Sequence, residues 1–195
     1  PIIGLTGNFG MGKSTALKLF WESGVFTYSA DDFVHKILEN QAIIRRIVRV
    51  LGKEVLISGA PTLSLDKNKV ANIIFDNPLK RKAIEKIVHP EVLKTIRLTA
   101  SEVLSREPSA MIMFEVPLLF EAGYEHFFDK MIVVYCKQSA ALERLVRKGF
   151  TKKAALKRIR AQMPITQKKR LAHFLINNND SIANTKAQVK KIIKK

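Results

Sequence analysis

Cysteines and long apolar runs are what this 195-residue sequence has least of. Its single cysteine, Cys136, excludes an internal disulfide framework and a cysteine-rich zinc site, and its apolar neighbours indicate a buried thiol. No apolar run reaches the length of a membrane span, and the N-terminal residues lack the basic leader of a signal peptide. Length and composition instead predict one globular domain with a sizeable core, in a reducing cytoplasm.

Acidic residues are scarce in the C-terminal part of the chain. From Lys137 to the end, 17 Lys and Arg face only two acids, Glu143 and Asp180, whereas the net charge of the whole chain is +17. A surface of this kind attracts polyanions. Charge alone does not choose between three possible partners: nucleic acid, an anionic membrane and a heavily phosphorylated small substrate.

Short apolar strands alternate with amphipathic helices along the chain. The strands are continuous apolar runs, which is typical of a parallel sheet covered on both faces, so we predict an α/β fold with helices flanking the sheet. Residues 36–106 are nearly all helical and interrupt the alternation as an insertion. Within them, proline disfavours helix at the residue before it, which predicts a break near His89-Pro90. The predicted strands cover residues 2–5, 25–28, 111–114, 131–136 and 174–176.

Helices are predicted after most of these strands. The first covers residues 13–23, with Leu17, Phe20 and Trp21 on its apolar face and Gly24 as its stop signal. Three helices between residues 139 and 173 carry most of the excess positive charge, and an amphipathic helix over residues 181–195 closes the chain.

A phosphate-binding loop lies between the first strand and the first helix. Residues 7–14 read GNFGMGKS and fit the pattern G-x-x-x-x-G-K-[ST] in the required strand–loop–helix context. The glycines let backbone N–H groups point inward at phosphate oxygens, Lys13 adds a point charge for the β- and γ-phosphates, and the Ser14 hydroxyl is a ligand for Mg²⁺. The residues expected to bind ATP here are Gly7, Gly10, Met11, Gly12, Lys13, Ser14 and Thr15. The loop alone leaves open ATP or GTP, and kinase or hydrolase, although the chain has no guanine-reading [NT]-K-x-D motif.

Two aspartates follow the second predicted strand. Because ligands of parallel α/β sheets sit beyond the carboxyl ends of the strands, Asp31 and Asp32 are expected on the side of the phosphate loop. A kinase needs a carboxylate to orient the acceptor hydroxyl and take its proton. We assign that task to Asp31, and to Asp32 the N-cap of a helix from Phe33.

Several further blocks resemble the dephospho-coenzyme A kinase family in the same order along nearly the whole chain. The opening GLTG and GKST segments, Ala30-Asp31, His89-Pro90, and the EVPLLFE run that begins at Glu115 are similar to family motifs. The likeness ends with a segment that comprises Arg158-Ile159, Gln162-Met163-Pro164, Lys168-Lys169 and Ile176-Asn177-Asn178. The phosphate loop is shared by many functions, whereas the PLLFE and QMP blocks are far more specific.

The chain departs from that family's pattern at several positions. Asn8 and Met11 replace a glycine and a serine of the loop, and Ser29 replaces the first aspartate of a D-A-D motif. Glu115 stands where the family usually has aspartate. None of these changes removes Lys13, Ser14 or Asp31, so they bear on the substrate side more than on the chemistry.

The resemblance implies a P-loop kinase that uses ATP and Mg²⁺ to phosphorylate the ribose 3′-hydroxyl of dephospho-coenzyme A. It implies acceptor contacts from His89, Leu118 and Leu119, although a helix cap for His89 and core positions for the leucines are the alternatives. Glu115 would support the Mg²⁺ shell, or act structurally near Pro117.

Arg144 and Arg147 lie one helical turn apart and would reach ATP from a lid, or form a solvated basic face. The expected single domain has a core of about residues 1–35, 107–142 and 174–195, an acceptor-binding insertion of about 36–106, and a lid of about 143–173. A monomer or small homo-oligomer without a membrane partner is expected.

Two other functions stay open at this point. One is a kinase for another small molecule or nucleotide on the same fold. The second is a nucleic-acid-binding ATPase, suggested by the basic C-terminal part, although the absence of an aromatic-rich binding motif there makes nucleic acid an unlikely partner.

Overall fold

The computed structural model describes residues 1–194, so the last residue of the predicted closing helix, Lys195, lies outside the described residues. The chain divides into two compact units, Pro1–Ser29 with Glu102–Lys195, and Ala30–Ser101. We call the first the sheet unit and the second the helical unit. The predicted boundaries of the insertion, at residues 36 and 106, and of the lid stay predictions.

The sheet unit contains all five named strands of residues 1–194 and most of the helices. In chain order its elements are β1 (Ile2–Thr6), α1 (Lys13–Trp21), β2 (Phe26–Ser29), β3 (Ile112–Glu115), β4 (Lys130–Tyr135), α6 (Gln138–Arg147), α7 (Lys152–Arg160), α8 (Ile165–Leu171), β5 (Phe174–Asn177) and α9 (Ile182–Ile193). The helical unit supplies α2 (Ala30–Ile37), α3 (Gln41–Leu51), α4 (Lys67–Asp76) and most of α5 (Pro78–Arg106).

The five strands form one parallel sheet in the order β2-β3-β1-β4-β5, which confirms the predicted fold class. In the centre of the sheet, Gly4 of β1 is in register with Phe114 of β3 and Met131 of β4. Strand β3 is buried along its whole length, as expected for a strand covered on both faces. Because all strands run the same way, their carboxyl ends lie along one edge, where the loop after β1 and the end of β3 meet.

The core of the sheet unit forms where α1 and α9 pack against the sheet. Phe20 of α1, Val189 of α9 and Ile132 of β4 are fully buried in one hydrophobic cluster. Burying a side chain of this size stabilises the fold by about 1.5–3 kcal/mol. Leu119 and Phe128 lie close to Gly4, where a Cβ atom would collide with the Leu119 side chain.

The apolar face predicted for α1 is wrong at Trp21. Its side chain is 63% exposed, whereas Ala16, Leu19 and Phe20 are buried. Residues at i, i+3 and i+4 share one helical face, and Trp21 lies one position further round the helix. Leu17, Phe20 and Trp21 have the same i, i+3, i+4 spacing, so the local pattern fits either face and packing against the sheet selects the one that contains Ala16 and Leu19.

The helical unit is built from capped amphipathic helices. Helix α3 begins after Asn40, whose side chain accepts hydrogen bonds from Ala42 N and Ile43 N at 2.9 and 3.4 Å. Its buried positions Ile43, Ile44, Ile47 and Leu51 repeat at helical spacing. Between α3 and α4 the chain is mostly irregular, with a short 3-10 turn and an isolated bridge between Leu56 and Leu65.

The break predicted at His89-Pro90 is wrong, because α5 continues through Pro90. A proline inside a helix loses one backbone hydrogen bond and strains the preceding turn. Buried side chains on both sides of it, Val88 before and Val92 after, continue the apolar stripe and offset that loss. Tertiary packing therefore decides the outcome where the local preference points the other way.

None of the helices within residues 1–194 combines the length and apolar character that a membrane crossing requires.

Candidate active site

The phosphate loop connects β1 to α1, as the motif predicts. Gly10 and Gly12 have φ angles of 82° and 90°, a left-handed conformation that favours glycine. Gly12 is the N-cap of α1 and has no side chain to cap the first amides, and the first turn of α1 contains no acidic residue. The loop amides and the positive end of the helix therefore form an anion site.

Neighbouring elements pack tightly on this loop, and Gly10 and Gly12 have no room for a side chain. A Cβ at Gly10 would lie 2.8 Å from the carbonyl oxygen of Ala141 and from Leu145 Cδ1, both in α6. A Cβ at Gly12 would collide with the carboxamide of Asn178. The shape of the loop is therefore set by α6 and by the residues after β5, as well as by its own glycines.

The polar residues of the motif lie at the start of α1. Lys13 Nζ is 3.5 Å from the carbonyl oxygen of Asn8, and the Ser14 hydroxyl is 3.5 Å from Oε1 of Glu115. Glu115 is the last residue of β3 and is largely buried, whereas Ser14 and Thr15 are exposed. A hydroxyl and a carboxylate at this spacing are hard oxygen ligands of the kind that Mg²⁺ prefers.

Met11 and Gly7 hold the loop from the protein side. The Met11 side chain is buried against Cys136 and Ala141, and its carbonyl oxygen accepts a hydrogen bond from Asn178 Nδ2 at 3.0 Å. A Cβ at Gly7 would collide with the carbonyl oxygen of Val134 in β4. These positions shape the loop from the protein side.

Of the two arginines predicted to reach ATP, the structure brings Arg144 to the loop. Its Nη2 donates to the carbonyl oxygen of Asn178 at 2.7 Å, and its Nη1 lies 3.6 Å from the position of a Cβ on Gly12. Arg147 instead forms an exposed ion pair with Glu143 on the same helix, at 2.5 Å. A role of Arg147 at ATP stays a prediction.

Asn178 is a site residue to which sequence reasoning gave no role. It is buried, its Oδ1 accepts from the Thr185 hydroxyl at 3.0 Å, and its Nδ2 donates to the loop. The sequence contained a signal, because Asn178 stands in one of the segments shared with the resembled family. Its role could not be found there, because the contacts join residues at opposite ends of the chain.

The segment before α8 also contacts the phosphate loop, which sequence reasoning missed. Gln162 Oε1 accepts a hydrogen bond from Phe9 N at 2.7 Å, and the Met163 carbonyl oxygen accepts one from Asn8 Nδ2 at 3.1 Å. The guanidinium of Arg158 lies 5.5 Å from the centre of the Phe9 ring, within cation–π range. The QMP segment thus touches the loop directly in this structure.

The two leucines predicted to contact the acceptor differ in exposure. Leu118 is 44% exposed, whereas Leu119 is fully buried. Leu119 therefore occupies a core position, the alternative that its sequence left open, and Leu118 alone offers a large accessible surface.

In the helical unit, Asp31 and Asp32 lie in the first turn of α2, which begins at Ala30, and both are exposed. The prediction that Asp32 is the N-cap of a helix from Phe33 is wrong, because the helix begins three residues earlier. Two carboxylates in a first turn interact favourably with the helix dipole.

His89 is half-buried within α5. Burial lowers its pKa below the ordinary value, an effect that the nearby Glu85 carboxylate opposes. The imidazole is therefore neutral at pH 7 and acts as a hydrogen-bonding group rather than as a charge.

Comparison with known proteins gives one consistent result. A profile of the family described as dephospho-CoA kinase matches residues 1–184. The chain is similar to a dephospho-CoA kinase of Carboxydothermus hydrogenoformans, with 38% identity over 100% of this chain and 94% of that protein.

Two solved structures share the fold. The crystal structure of TT1252 from Thermus thermophilus has a TM-score of 0.83 and 31% identity, and it covers 99% of this chain and 96% of its own. The structure of dephospho-CoA kinase from Campylobacter jejuni has a TM-score of 0.71 and 28% identity over 99% and 95% of the two chains.

Proposed function

The chain belongs to the dephospho-CoA kinase family, and from this we propose how its own residues perform that family's reaction. The enzyme transfers the γ-phosphoryl group of ATP to the ribose 3′-hydroxyl of dephospho-coenzyme A, giving coenzyme A and ADP in the last step of coenzyme A biosynthesis. The observation that carries this function is the family match over residues 1–184, joined to a glycine loop with Lys13, Ser14 and Glu115 at its end.

We propose that the phosphate loop holds the triphosphate of ATP. Backbone amides of the loop and the N-terminus of α1 contact the phosphate oxygens, and the Lys13 ammonium neutralises charge on the β- and γ-phosphates. The 3.5 Å spacing of the Ser14 hydroxyl and the Glu115 carboxylate fits a Mg²⁺ site. When bound there, Mg²⁺ would supply positive charge to the phosphate oxygens. Arg144, beside the loop, is a further cation on the nucleotide side.

Asp31 is the proposed base for the acceptor. It orients the 3′-hydroxyl and accepts its proton as the oxygen bonds to the γ-phosphorus and ADP leaves. Two local observations support this assignment. Asp31 is exposed, and it lies two residues after Ser29, the residue of β2 that is in register with Glu115. An exposed carboxylate at this position is accessible to an incoming acceptor hydroxyl.

The helical insertion is proposed to bind dephospho-coenzyme A, with His89 as a neutral hydrogen-bonding group. On the sheet unit, Leu118 offers an apolar surface to the acceptor, and Leu119 supports it from the core. Residues 143–173 form the proposed lid, and Arg147 would leave Glu143 to reach ATP.

The location and assembly state are also proposals. A cytoplasmic enzyme fits the use of ATP, and a monomer or small homo-oligomer is expected. A nucleic-acid-binding ATPase is not favoured, because the family match accounts for the chain without it.

The test is ATP-dependent conversion of dephospho-coenzyme A, followed by ADP release and by chromatography of the product. Lys13→Ala and Asp31→Ala should each lower kcat about 100-fold or more with the fold retained. Asp32→Ala, one residue away on the same exposed turn, is the matched control and should stay within about threefold of wild type.

Full activity of Asp31→Ala would remove the base assignment. A wild-type protein that phosphorylates other acceptors but not dephospho-coenzyme A would overturn the proposed substrate.

A further inference from the structure

A closed ring of hydrogen bonds surrounds the first half of the phosphate loop. Its first bond begins at Thr6, the last residue of β1, whose hydroxyl donates to the Pro117 carbonyl oxygen at 3.1 Å. The same oxygen accepts from Lys168 Nζ at 3.1 Å, and Lys168 pairs with Glu121 Oε1 at 2.9 Å. These contacts join the end of β1, the loop after β3 and helix α8.

The second half of the ring returns to the loop. Glu121 Oε1 also accepts from Met163 N at 2.9 Å, and the Met163 carbonyl oxygen accepts from Asn8 Nδ2 at 3.1 Å. The chain from Thr6 to Asn8 closes the circle. Beside it, Gln162 holds Phe9 N at 2.7 Å. We call the closed ring, together with the bond from Phe9 N to Gln162, the 168 ring, after its member Lys168.

Lys168 is the unusual member of the ring because its side chain is fully buried. Burial lowers the pKa of its ammonium, and hydrogen bonding and charge from Glu121 oppose that shift. The Glu121 side chain is 21% exposed, so only one partner of the pair is buried. A pair with a buried charge is weak evidence for stability, since apolar residues of similar size often stabilise a fold as well or better. The geometry that the pair imposes on its neighbours is the better account of it.

The ring contacts only part of the phosphate loop. It holds Thr6, Asn8 and Phe9. In the second part, Asn178 holds the Met11 carbonyl oxygen and Ser14 lies 3.5 Å from Glu115, while Lys13 Nζ lies 3.5 Å from the Asn8 carbonyl oxygen. The second part contributes the helix N-terminus and the lysine that bind phosphate. Disturbing the ring should therefore spare binding of a diphosphate while misplacing the first half of the loop.

We propose that Lys168 is a positioning residue for phosphoryl transfer, which acts through the 168 ring to fix the first half of the phosphate loop against the loop after β3. The proposal rests on the proposed function for its reaction, because Pro117 and Glu121 flank the leucines assigned to the acceptor side. Small misplacements at a reacting centre have large effects, and a shift of 1 Å can lower a rate about 100-fold.

The experiment compares Lys168→Met with wild type in kcat, KM for ATP, ADP affinity by calorimetry, and Tm. We expect kcat to fall about 10- to 100-fold while the dissociation constant of ADP stays within about threefold. Arg170→Met, on an exposed position of the same helix, is the matched control and should leave all four quantities near wild type.

The double variant Lys168→Met with Glu121→Gln separates positioning from stability. Glutamine keeps an acceptor for Met163 N, and removing both charges relieves the unpaired carboxylate, so Tm should recover toward wild type. We expect kcat to stay low, because the link to Pro117 is still missing. Recovery of Tm and kcat together would overturn the proposal and leave the pair a structural role.

Gln162→Leu gives an independent test that leaves the pair of Lys168 and Glu121 intact, and it applies if Lys168→Met does not fold. It removes the acceptor for Phe9 N at similar volume and should lower kcat about tenfold with little change in ADP affinity. An unchanged kcat would overturn the proposal.

Wild-type turnover of dephospho-coenzyme A is measured first. Its absence refutes the proposed substrate. Normal turnover in wild type together with unchanged kcat in Lys168→Met refutes the positioning role alone.

Discussion

The two units of this protein fix their side chains by different means. In the sheet unit, side-chain hydrogen bonds join distant parts of the chain, and the bond from Asn178 to the Met11 carbonyl spans 167 positions. In the helical unit, the caps of Asn40 and Asp66 reach two or three residues along the chain, and the bond from Gln41 to the Leu63 carbonyl spans 22 positions. Its buried interior is mostly aliphatic, with Ile44 and Ile47 almost inaccessible to solvent.

This difference matches what each kind of interaction can do. Hydrogen bonds are directional, so a network of them can hold amides and a lysine in the geometry that a triphosphate needs. Hydrophobic packing is non-directional and scales with buried area, so it stabilises a helix bundle without fixing single polar atoms. Apart from Asp31 and His89, which are assigned to the reaction, residues of the helical unit should therefore affect stability first when substituted. Substitutions around the phosphate loop in the sheet unit should affect activity first.

The largest effect is expected at the loop glycine. Gly12→Ala should lower kcat/KM about 100-fold, because the new methyl group collides with Asn178 and displaces the loop. The positive φ angle of 90° adds about 1–3 kcal/mol of strain. Steady-state kinetics and urea unfolding measure the two effects.

Gly59→Ala is the control for that substitution in the helical unit. Gly59 has a φ angle of 77° and no heavy atom within 4 Å of its Cβ position, so the variant carries the strain without the collision. Its kcat/KM should stay within about twofold of wild type. Equal losses of activity in both variants would contradict the contrast between the units.

In the helical unit, Ile47→Ala should lower the free energy of unfolding by about 2–5 kcal/mol, because it opens a cavity at a fully buried position. Below the unfolding transition, calorimetry should find ADP affinity unchanged. Ile57→Ala, at a half-exposed position, is the control and should change stability by no more than about 0.5 kcal/mol. Weakened ADP binding in folded Ile47→Ala would break the comparison.

A smaller and opposite effect is expected at Pro90. Pro90→Ala restores an amide donor inside α5 and should raise the free energy of unfolding by about 1 kcal/mol, part of the helix gain being offset by a more flexible unfolded chain. Urea unfolding measures it, with Lys94→Ala on the exposed face as control. A destabilised Pro90→Ala would mean that the ring of Pro90 itself contributes to packing.

The smallest effect concerns pH. The folded-state pKa of His89 lies below its ordinary value of 6.5, because burial disfavours the charged form and outweighs Glu85. The unfolded state therefore binds the proton first, and stability falls as pH drops below 6.5 toward the folded pKa. His89→Gln should make the free energy of unfolding depend less steeply on pH between pH 7.5 and 5.5.

The control for this pH effect is His35→Gln, at an exposed position of α2, which should keep the wild-type slope in urea unfolding. Identical slopes in all three proteins would show that His89 does not contribute to the acid sensitivity of the fold.

The sequence predicted those features that depend on local pattern. The glycine spacing of residues 7–14 and the apolar runs around it predict the strand, loop, helix and parallel sheet, because each follows from a few neighbouring residues. The predictions of an apolar-face position for Trp21 and of a helix break at Pro90 were wrong for one reason. At each residue, tertiary packing overrode a local preference. Asp32 was wrong because the helix began earlier than its capping signal suggests.

The contacts around the loop could not be predicted in this way. Gln162, Met163 and Asn178 reach the phosphate loop only after the chain has folded, and nothing in their spacing points to residues 8–12. The family likeness marks these segments as specific to the family but does not say what they touch. Directional long-range bonds are therefore the part of the site that only a structure reveals.

The rate at which Cys136, the single cysteine, is chemically modified should report how often the packing around the phosphate loop opens. Cys136 lies buried against Met11, and burial raises its pKa, outweighing the influence of Arg144. An alkylating reagent reacts with the accessible thiolate, which attacks it as a nucleophile. Modification of the native protein is therefore expected only when α6 and the loop separate. ATP at 100 times its dissociation constant should slow that modification about 100-fold. The opening of the loop can therefore be measured without attaching a probe to the enzyme.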